Sequence, residues 1–467
     1  MSILSAYMVP HPPVILPGVG KGKEAELEKT AEAYKRAAEE IRSQNPDTVV
    51  IISSHIEMYS DYFHIVPGEE GRGDMADFGA PDICISVKYD TGLRDVLCAL
   101  CDECSIKAGT LGQRNRGIDH GSLIPLYFLG QAYRTELPPV IRIGVSGLML
   151  HEHYRLGMLI RQAACKAGRS IAVIASGDLS HRLSGEGSYG YAKEGPEYDR
   201  RIMETMSKGD FEELFSFEED FCDKAGECGH RCFAVLAGVF DCISVTAEKL
   251  SYEAPFGVGY GICRFLPCSV QNTLTGKSFY DIYTERIKAE VTEHRGGEDA
   301  YVRLARTALE AFVLRNEITK VPEDAPDELR NMRAGAFVCI KKHGRLRGCI
   351  GTVSPVMGNV GEEIIMNAMS VAVRDSRFAP VTADELDYLT YTVDIIGETE
   401  PVSSLDELDV KKYGIIVTRG DRRGVLLPNL EGVDTVEEQV DIARRKAGIA
   451  EGDSMETARF KVVRHTA

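Results

Sequence analysis

Histidine is scarce in this chain, with 11 residues in all, yet five of them stand at the ends of apolar or glycine-rich runs. VPHPPV holds His11, and VVIISSH ends at His55. GIDHGSLIPLYFL holds Asp119, His120 and Gly121. IAVIASGDLSH ends at His181, and AGECGHR offers Glu227, Cys228 and His230. Two neutral imidazoles and one carboxylate make a facial ligand set that suits Fe(II) and leaves positions open for substrate and dioxygen. His11, His55 and Glu227 are the candidates for that set. His120 and His181 could then act on a bound phenolic substrate, because imidazole takes up a proton near neutral pH. Taken singly, each of these histidines is an ordinary structural residue, and only the set points to a site. Asp119 is expected to cap adjacent backbone. Asp178 is open between capping and orienting a histidine. His230 is open between supporting the site and lying on the surface. His64 carries no clear signal, and the polarity of a helix start accounts for His151 and His153.

The elements that must position these groups alternate. ILSAYMV (3–9) is expected as a strand, and the proline-rich run after it restricts the backbone around His11. Residues 21–43 are expected as an amphipathic helix, and 48–55 as a buried parallel strand with His55 at its end. In open α/β sheets that end of a strand is where ligand chemistry collects. Residues 57–80 read as a long loop or lid, 83–89 as a strand, 91–104 as a helix. A helix follows the DHG stretch, then a strand at 140–148, a helix at 151–168 and a strand at 170–181. A loop at 182–192 adjoins the last of these. The pattern predicts an α/β domain with a central, mostly parallel sheet flanked by helices. Periodicity weakens near 268–290, so the boundaries expected are 1–268 for the first domain, 269–294 for a linker and 295–467 for the second. The second half is expected to be α+β. It shows helices at 299–315, 359–375 and 435–447, a strand at 386–396 and hairpins at 335–353 and 411–430.

A length of 467 residues favours two or three domains. A net charge of -17 argues against general nucleic-acid binding. There is neither an apolar run long enough for a membrane helix nor a signal-peptide pattern at the start, so a cytoplasmic protein is expected. The 13 cysteines are scattered and include only a lone CxxC, Cys101 to Cys104. Reduced thiols are the simpler expectation than a metal ribbon.

The strings VPHPPV, SSH, DHG, GDLSH and ECGHR resemble the class III extradiol dioxygenases (LigB-like) and their Memo-like relatives over about the first 268 residues. The resemblance implies His11, His55 and Glu227 as iron ligands, His120 beside them, and His181 as the acid–base group. It also implies cleavage of a dihydroxy-aromatic ring with Fe(II) and dioxygen. Memo-like proteins can use a cysteine as third ligand, and here Cys228 adjoins Glu227. A thiolate would make the site softer and open to Zn or Cu as well as iron, and Mn is a further alternative to Fe(II).

LRGCIG (346–351), RDSRFAPV (374–381) and RRGVLLP (422–428) make the second half resemble the AMMECR1 family. Arg347, Cys349, Arg374, Asp375 and Arg377 form a candidate second site. Its guanidinium groups could bind an anion, and Cys349 could be a nucleophile. A structural salt bridge and a small buried side chain are the competing roles. The fusion resembles AmmeMemoRadiSam-system proteins, which implies a radical S-adenosylmethionine protein as partner besides a small-molecule substrate. Two alternatives to the dioxygenase stand: a metal-dependent partner without oxygen chemistry, and a binding or scaffold protein with a vestigial pocket. Oligomeric state is open, and a homodimer is compatible with the sequence.

Overall fold

Why the apolar runs become strands is visible in what covers them. In the computed structural model, which describes residues 2–134, 136–268, 277–430 and 432–467, the chain divides into two units, Met1–Ile282 and Tyr283–Ala467. The first unit contains β1 (Ile3–Val9), α1 (Glu28–Gln44), β2 (Thr48–Ser53), α2 (Thr91–Glu103), α3 (His120–Tyr133), β3 (Val140–Gly144), α4 (Leu150–Lys166), β4 (Ile171–Ser176), α5 (Glu194–Lys208), α6 (His230–Val239), β5 (Val245–Glu253) and β6 (Tyr260–Pro267). These strands form one six-stranded sheet in the order β3-β2-β4-β1-β6-β5. The four strands β3, β2, β4 and β1 are parallel, and β6 and β5 add antiparallel.

Both faces of the sheet are covered, so its central strands are apolar on both sides. Along β1, Ala6 and Met8 join one core with Leu97, Leu156 and Phe233, whereas Tyr7 and Val9 join the opposite core with Tyr34, Ile41 and Leu126. That alternation is the period of two expected of a strand. Helices α4 and α6 cross closely on the first face. A Cβ at Gly238 would stand 1.8 Å from the Tyr154 carbonyl oxygen, so a hydrogen is the only side chain that fits there.

Register decides where the site forms. Val9 of β1 lies opposite Ser176 of β4, and Ser53 of β2 lies opposite the same Ser176. Because the three strands are parallel, their C-terminal ends leave at one edge. His11, His55 and the 177–181 segment are therefore delivered side by side.

Part of the 57–80 stretch, expected as a loop or lid, is a hairpin instead. Glu70–Met75 pairs antiparallel with Ala80–Lys88. Gly71 and Gly73 hid this strand, because glycine is a poor strand former. They are needed there, since a Cβ would meet the Tyr89 ring at the first and Ile118 at the second.

Overlapping the span expected as linker, residues Phe279–Gly296 form a helix, α7. Val291 is its only buried residue, so its apolar positions make no continuous stripe for periodicity to reveal. Residues 269–276 of that span lie outside the described residues.

The second unit holds α8 (Ala300–Arg315), β7 (Ala336–Lys342), β8 (Arg345–Gly351), α9 (Val360–Val373), β9 (Leu389–Pro401), β10 (Gly414–Arg419), β11 (Arg422–Leu426), α10 (Val436–Lys446) and β12 (Glu456–His465). Its six-stranded sheet runs β8-β7-β9-β12-β10-β11, with every pairing antiparallel. Helices α8 and α9 pack on it around Leu309, Ile340, Ile364 and Val393. The β7–β8 turn is His343-Gly344, both at positive φ, which matches the twist of a two-residue hairpin. Among the described residues, no helix is long and apolar enough to cross a membrane.

Candidate metal centre

His11 sits two residues beyond β1 and is buried. Its backbone N–H donates to Asp178 Oδ1 at 2.7 Å, which ties the loop after β1 to the loop after β4. Its ring orientation follows from Ser176. The Ser176 hydroxyl donates to the Gly121 carbonyl, so it must accept from His11 Nδ1, 3.0 Å away. With the Nδ1 proton spent there, the lone pair of His11 is on Nε2. That atom faces His55 Nε2 at 3.0 Å. His120 completes the group. Its ring centroid is 4.0 Å from that of His55 and 5.4 Å from that of His11. One nitrogen from each of the three lies within 4.8 Å of the others.

The DHG stretch performs three tasks. Asp119 is the N-cap of α3 and accepts from Ser122 N at 2.9 Å. It also accepts from Ser53 Oγ at 2.8 Å and from Arg142 Nη2 at 2.6 Å. Ser53 Oγ in turn accepts from His55 N at 3.1 Å, so the helix that begins with His120 and the loop that holds His55 are braced by one carboxylate. Gly121 leaves room for this brace, since a Cβ there would stand 2.5 Å from Ser53 Oγ and 3.2 Å from the His55 ring. Burial acts to raise the Asp119 carboxyl, but Arg142 and the hydroxyl donors outweigh it and hold it down at about 2. Arg142 and Ser176 are the positioning residues that sequence inspection passed over. Arg142 lies inside β3, where nothing local marks a partner, and Ser176 ends a uniformly apolar strand.

The electrostatics keep two of the rings unprotonated. Burial, then the neighbouring His11 and His120 rings, push His55 down to about 3, and burial and His11 push His120 below its usual value. Both rings are thus neutral with lone pairs to offer. Two nitrogens bound at right angles to one ion, with bonds of about 2.1 Å, stand about 3.0 Å apart. The separation of His11 and His55 Nε2 matches that figure. The residues present therefore fit a divalent ion.

Cys228 is the other expected ligand found beside the trio, with Sγ 3.5 Å from His11 Nε2. Asp178 N donates to that sulfur at 3.2 Å. Burial, then the Asp178 and Glu227 carboxylates, push the thiol well up. Glu227 is placed differently. Its carboxylate accepts from His230 N at 2.6 Å at the start of α6, and it is not among the three converging residues. Burial raises Glu227 against the donors that bind it. His230 is buried, with Nε2 at the Leu214 carbonyl and Nδ1 at the Tyr198 hydroxyl. His153 is likewise a core residue, its Nε2 accepting from Ser146 N at 3.2 Å.

His181 stands to one side. Its Nδ1 donates to the Gly226 carbonyl, which leaves Nε2 as the basic atom, 3.7 Å from Asp178 Oδ2. Burial lowers its affinity for a proton, but the Asp178 carboxylate more than offsets this, so His181 lies above its usual value. Asp178 itself is held below the ordinary carboxylate range: burial opposes ionisation, and His11 and His181 outweigh it.

The second candidate site is largely self-neutralised. Arg347 pairs with Glu385 at 2.9 Å, and Arg377 pairs with Asp375 at 2.7 Å. Asp375 also accepts from Cys349 N at 2.9 Å. Arg374 is exposed at the end of α9 and is not part of that network. Cys349 is half-buried and disulfide-bonded to Cys339 across the β7–β8 hairpin, so it is not the free thiol expected of a nucleophile. A disulfide sulfur is no thiolate nucleophile. The remaining 11 cysteines are free, as expected.

Comparison with known proteins assigns a family to each half of the chain. The family described as the catalytic LigB subunit of aromatic ring-opening dioxygenase matches residues 5–263, and the AMMECR1 family matches residues 302–467. Protein CA_C1420 of Clostridium acetobutylicum is 38% identical, over 100% of this chain and 99% of its own length. A Thermotoga maritima protein is 50% identical over 171 residues, 36% of this chain and 98% of that protein. The solved structure of Pyrococcus horikoshii protein PH0010 has 30% identity, covers 35% of this chain and 88% of its own, and gives a TM-score of 0.33. With a parallel sheet that delivers His11 and His55 from the strand ends on either side of β4, and a match across most of its first unit, the chain belongs to the LigB family and carries an AMMECR1-like domain after it.

Proposed function

We propose that the first domain is a non-haem Fe(II)-dependent oxidoreductase of extradiol-dioxygenase type, acting on a dihydroxy-aromatic or similar chelating molecule. The observation that carries this is the convergence of three imidazoles, two of them held neutral, at the C-terminal edge of the sheet. His11 and His55 would hold the ion. His120 is better placed than Glu227 for the third position, because the Glu227 carboxylate would first have to leave the backbone of α6. A bound divalent ion supplies Lewis acidity to the substrate hydroxyls and, if it is iron, a route for electrons to dioxygen. The chain's own part is acid–base and positional. His181 Nε2 takes the proton that a phenolic hydroxyl loses on binding, and Asp178 stabilises the resulting imidazolium. Arg142, Asp119 and Ser53 keep the His55 loop and the start of α3 in register.

The test is oxygen consumption. Chain purified without oxygen and loaded with Fe(II) is expected to take up dioxygen with a series of catechols and to form ring-opened products of changed absorbance. Metal binding without oxygen uptake across the series would instead favour a second reading. That reading is supported by Cys228, whose thiol beside His11 would make a softer site suited to chemistry without oxygen, as for a partner in a radical S-adenosylmethionine-linked process. No metal binding at all would sink both.

The role given to His181 has its own check. Nuclear magnetic resonance titration of its imidazole is expected to report a pKa above the ordinary 6.5 or so. Asp178→Asn keeps an acceptor for His11 N but removes the charge, so burial prevails and the pKa falls below that of wild type. The neutral, proton-accepting ring then persists to lower pH. An unchanged titration in the variant would show that Asp178 does not tune His181.

A further inference from the structure

Two aromatic rings stand in solvent beside the histidines. Phe78 is 39% exposed, and its ring centroid is 5.2 Å from that of His120. Tyr189 is 62% exposed, with its centroid 5.0 Å from that of His181. Phe78 ends the turn Ala76–Phe78 that joins the two strands of the 70–88 hairpin. Tyr189 lies in the loop closed by the Leu183–Tyr191 bridge. Neither belongs to a buried cluster of the first unit, so the core does not require a ring at either position.

The groups between them form a series. His120 adjoins His11 at 5.4 Å between centroids, Asp178 Oδ1 is 2.7 Å from His11 N, and Asp178 Oδ2 is 3.7 Å from His181 Nε2. One aromatic ring thus adjoins each end of the row that would handle the substrate. Large apolar side chains left in water at the mouth of a polar site gain by being covered, and rings are best covered by another ring set edge-on or offset.

We infer that Phe78 and Tyr189 are specificity-determining walls that admit a planar, aromatic chelator in preference to an aliphatic one. The inference rests on the metal-centre proposal and adds residues and a selectivity to it. Neither wall binds the ion, and neither is needed for the proton transfer at His181.

The experiment compares two oxygen chelators on the full-length chain loaded with Fe(II) under anaerobic conditions, so that binding is read without turnover. The probes are 4-nitrocatechol, a planar aromatic diol, and acetohydroxamic acid, an aliphatic hydroxamate. Calorimetry is expected to show Phe78→Ala and Tyr189→Ala each weakening 4-nitrocatechol about tenfold, the loss of one ring contact with its buried area. The double variant should lose about a hundredfold if the two walls act independently. Acetohydroxamic acid should stay within about twofold in every variant. Tyr189→Phe should retain most of the affinity, since the ring and not the hydroxyl makes the wall. Unchanged 4-nitrocatechol affinity in the double variant overturns the inference, as does parallel weakening of both chelators. Wild type that binds acetohydroxamic acid but not 4-nitrocatechol overturns the walls alone. Wild type that takes no Fe(II), or binds neither chelator, overturns the metal-centre proposal and the walls with it.

Discussion

Replacing His11 and His55 together by alanine is expected to abolish metal uptake. Elemental analysis after anaerobic loading should fall from about one equivalent per chain to below about one-tenth. Two of the three converging imidazoles are then gone, and what remains is His120 with the neighbouring Cys228 thiol. Losing even a residue that merely orients a ligand typically costs 10- to 100-fold in metal affinity, and losing two ligands costs more. A second readout separates this from misfolding. A ligand that binds only the folded chain at about 100 times its dissociation constant adds about 2.7 kcal/mol. Fe(II) should therefore raise the melting temperature of wild type by several degrees and leave that of the double variant unmoved. Both rings sit beyond the strand ends and outside the apolar clusters, but His11 is buried, so each protein's own apo form is the baseline for its Fe(II) shift. Retention of full metal content by the double variant would mean that the ion is held elsewhere.

The second large effect is expected at Asp119, and it is one of stability. Asp119→Ala removes the partner of Arg142, whose side chain is 3% exposed. A buried ion pair contributes little relative to apolar residues, but removing one member alone costs about 3–5 kcal/mol because the other charge is left unpaired. Loss of the α3 N-cap adds about 1 kcal/mol. Tyr89 Oη remains as an acceptor for Arg142 at 2.9 Å, which places the expected total near the lower end of that range. Urea unfolding of the isolated substitution against Asp119→Ala/Arg142→Met decides the cause. The double variant should be the more stable of the two, because the stranded cation is gone. If it is not, the pair is not what holds this corner.

The same pair predicts a pH dependence with a definite sign. The folded Asp119 carboxyl is held at about 2, below its ordinary value. Its stabilising contribution is therefore complete above the unfolded pKa, about 3.9, and is lost as pH falls toward and through 2. Wild type should lose stability steeply over that window, and the Asp119→Ala curve should be flatter there.

Much of this molecule is legible without coordinates because its signals are local. Short, β-branched apolar runs such as VVIIS and IAVIAS read as strands covered on both faces, which places the residues after them at a sheet edge. His11, His55 and His181 were readable as neighbours for that reason. Asp119 before a helix start announces an N-cap, and His343-Gly344 between two apolar-alternating segments announces a hairpin turn. The motifs LRGCIG and RDSRFAPV named the second domain because the order and spacing of short strings survive where geometry does not show.

What the tertiary structure alone decided concerns direction and register. Glu227 and Cys228 are adjacent, and no spacing rule says which of them faces the histidines. Gly226, in the left-handed region, and the turn that follows send the thiol toward His11 and the carboxylate back onto α6. Placing His120 within reach of both other rings depends on how α3 begins, and that rests on Arg142 inside β3, which pairs with Asp119 from 23 residues away. The Cys339–Cys349 bond depends on a bulge between Ile340 and Lys341, since regular pairing from a two-residue turn would set Cys339 against Gly348. In each case the deciding contact joins residues distant in sequence or turns on a one-residue shift. Composition and periodicity specify which face a residue belongs to, not which partner it meets there.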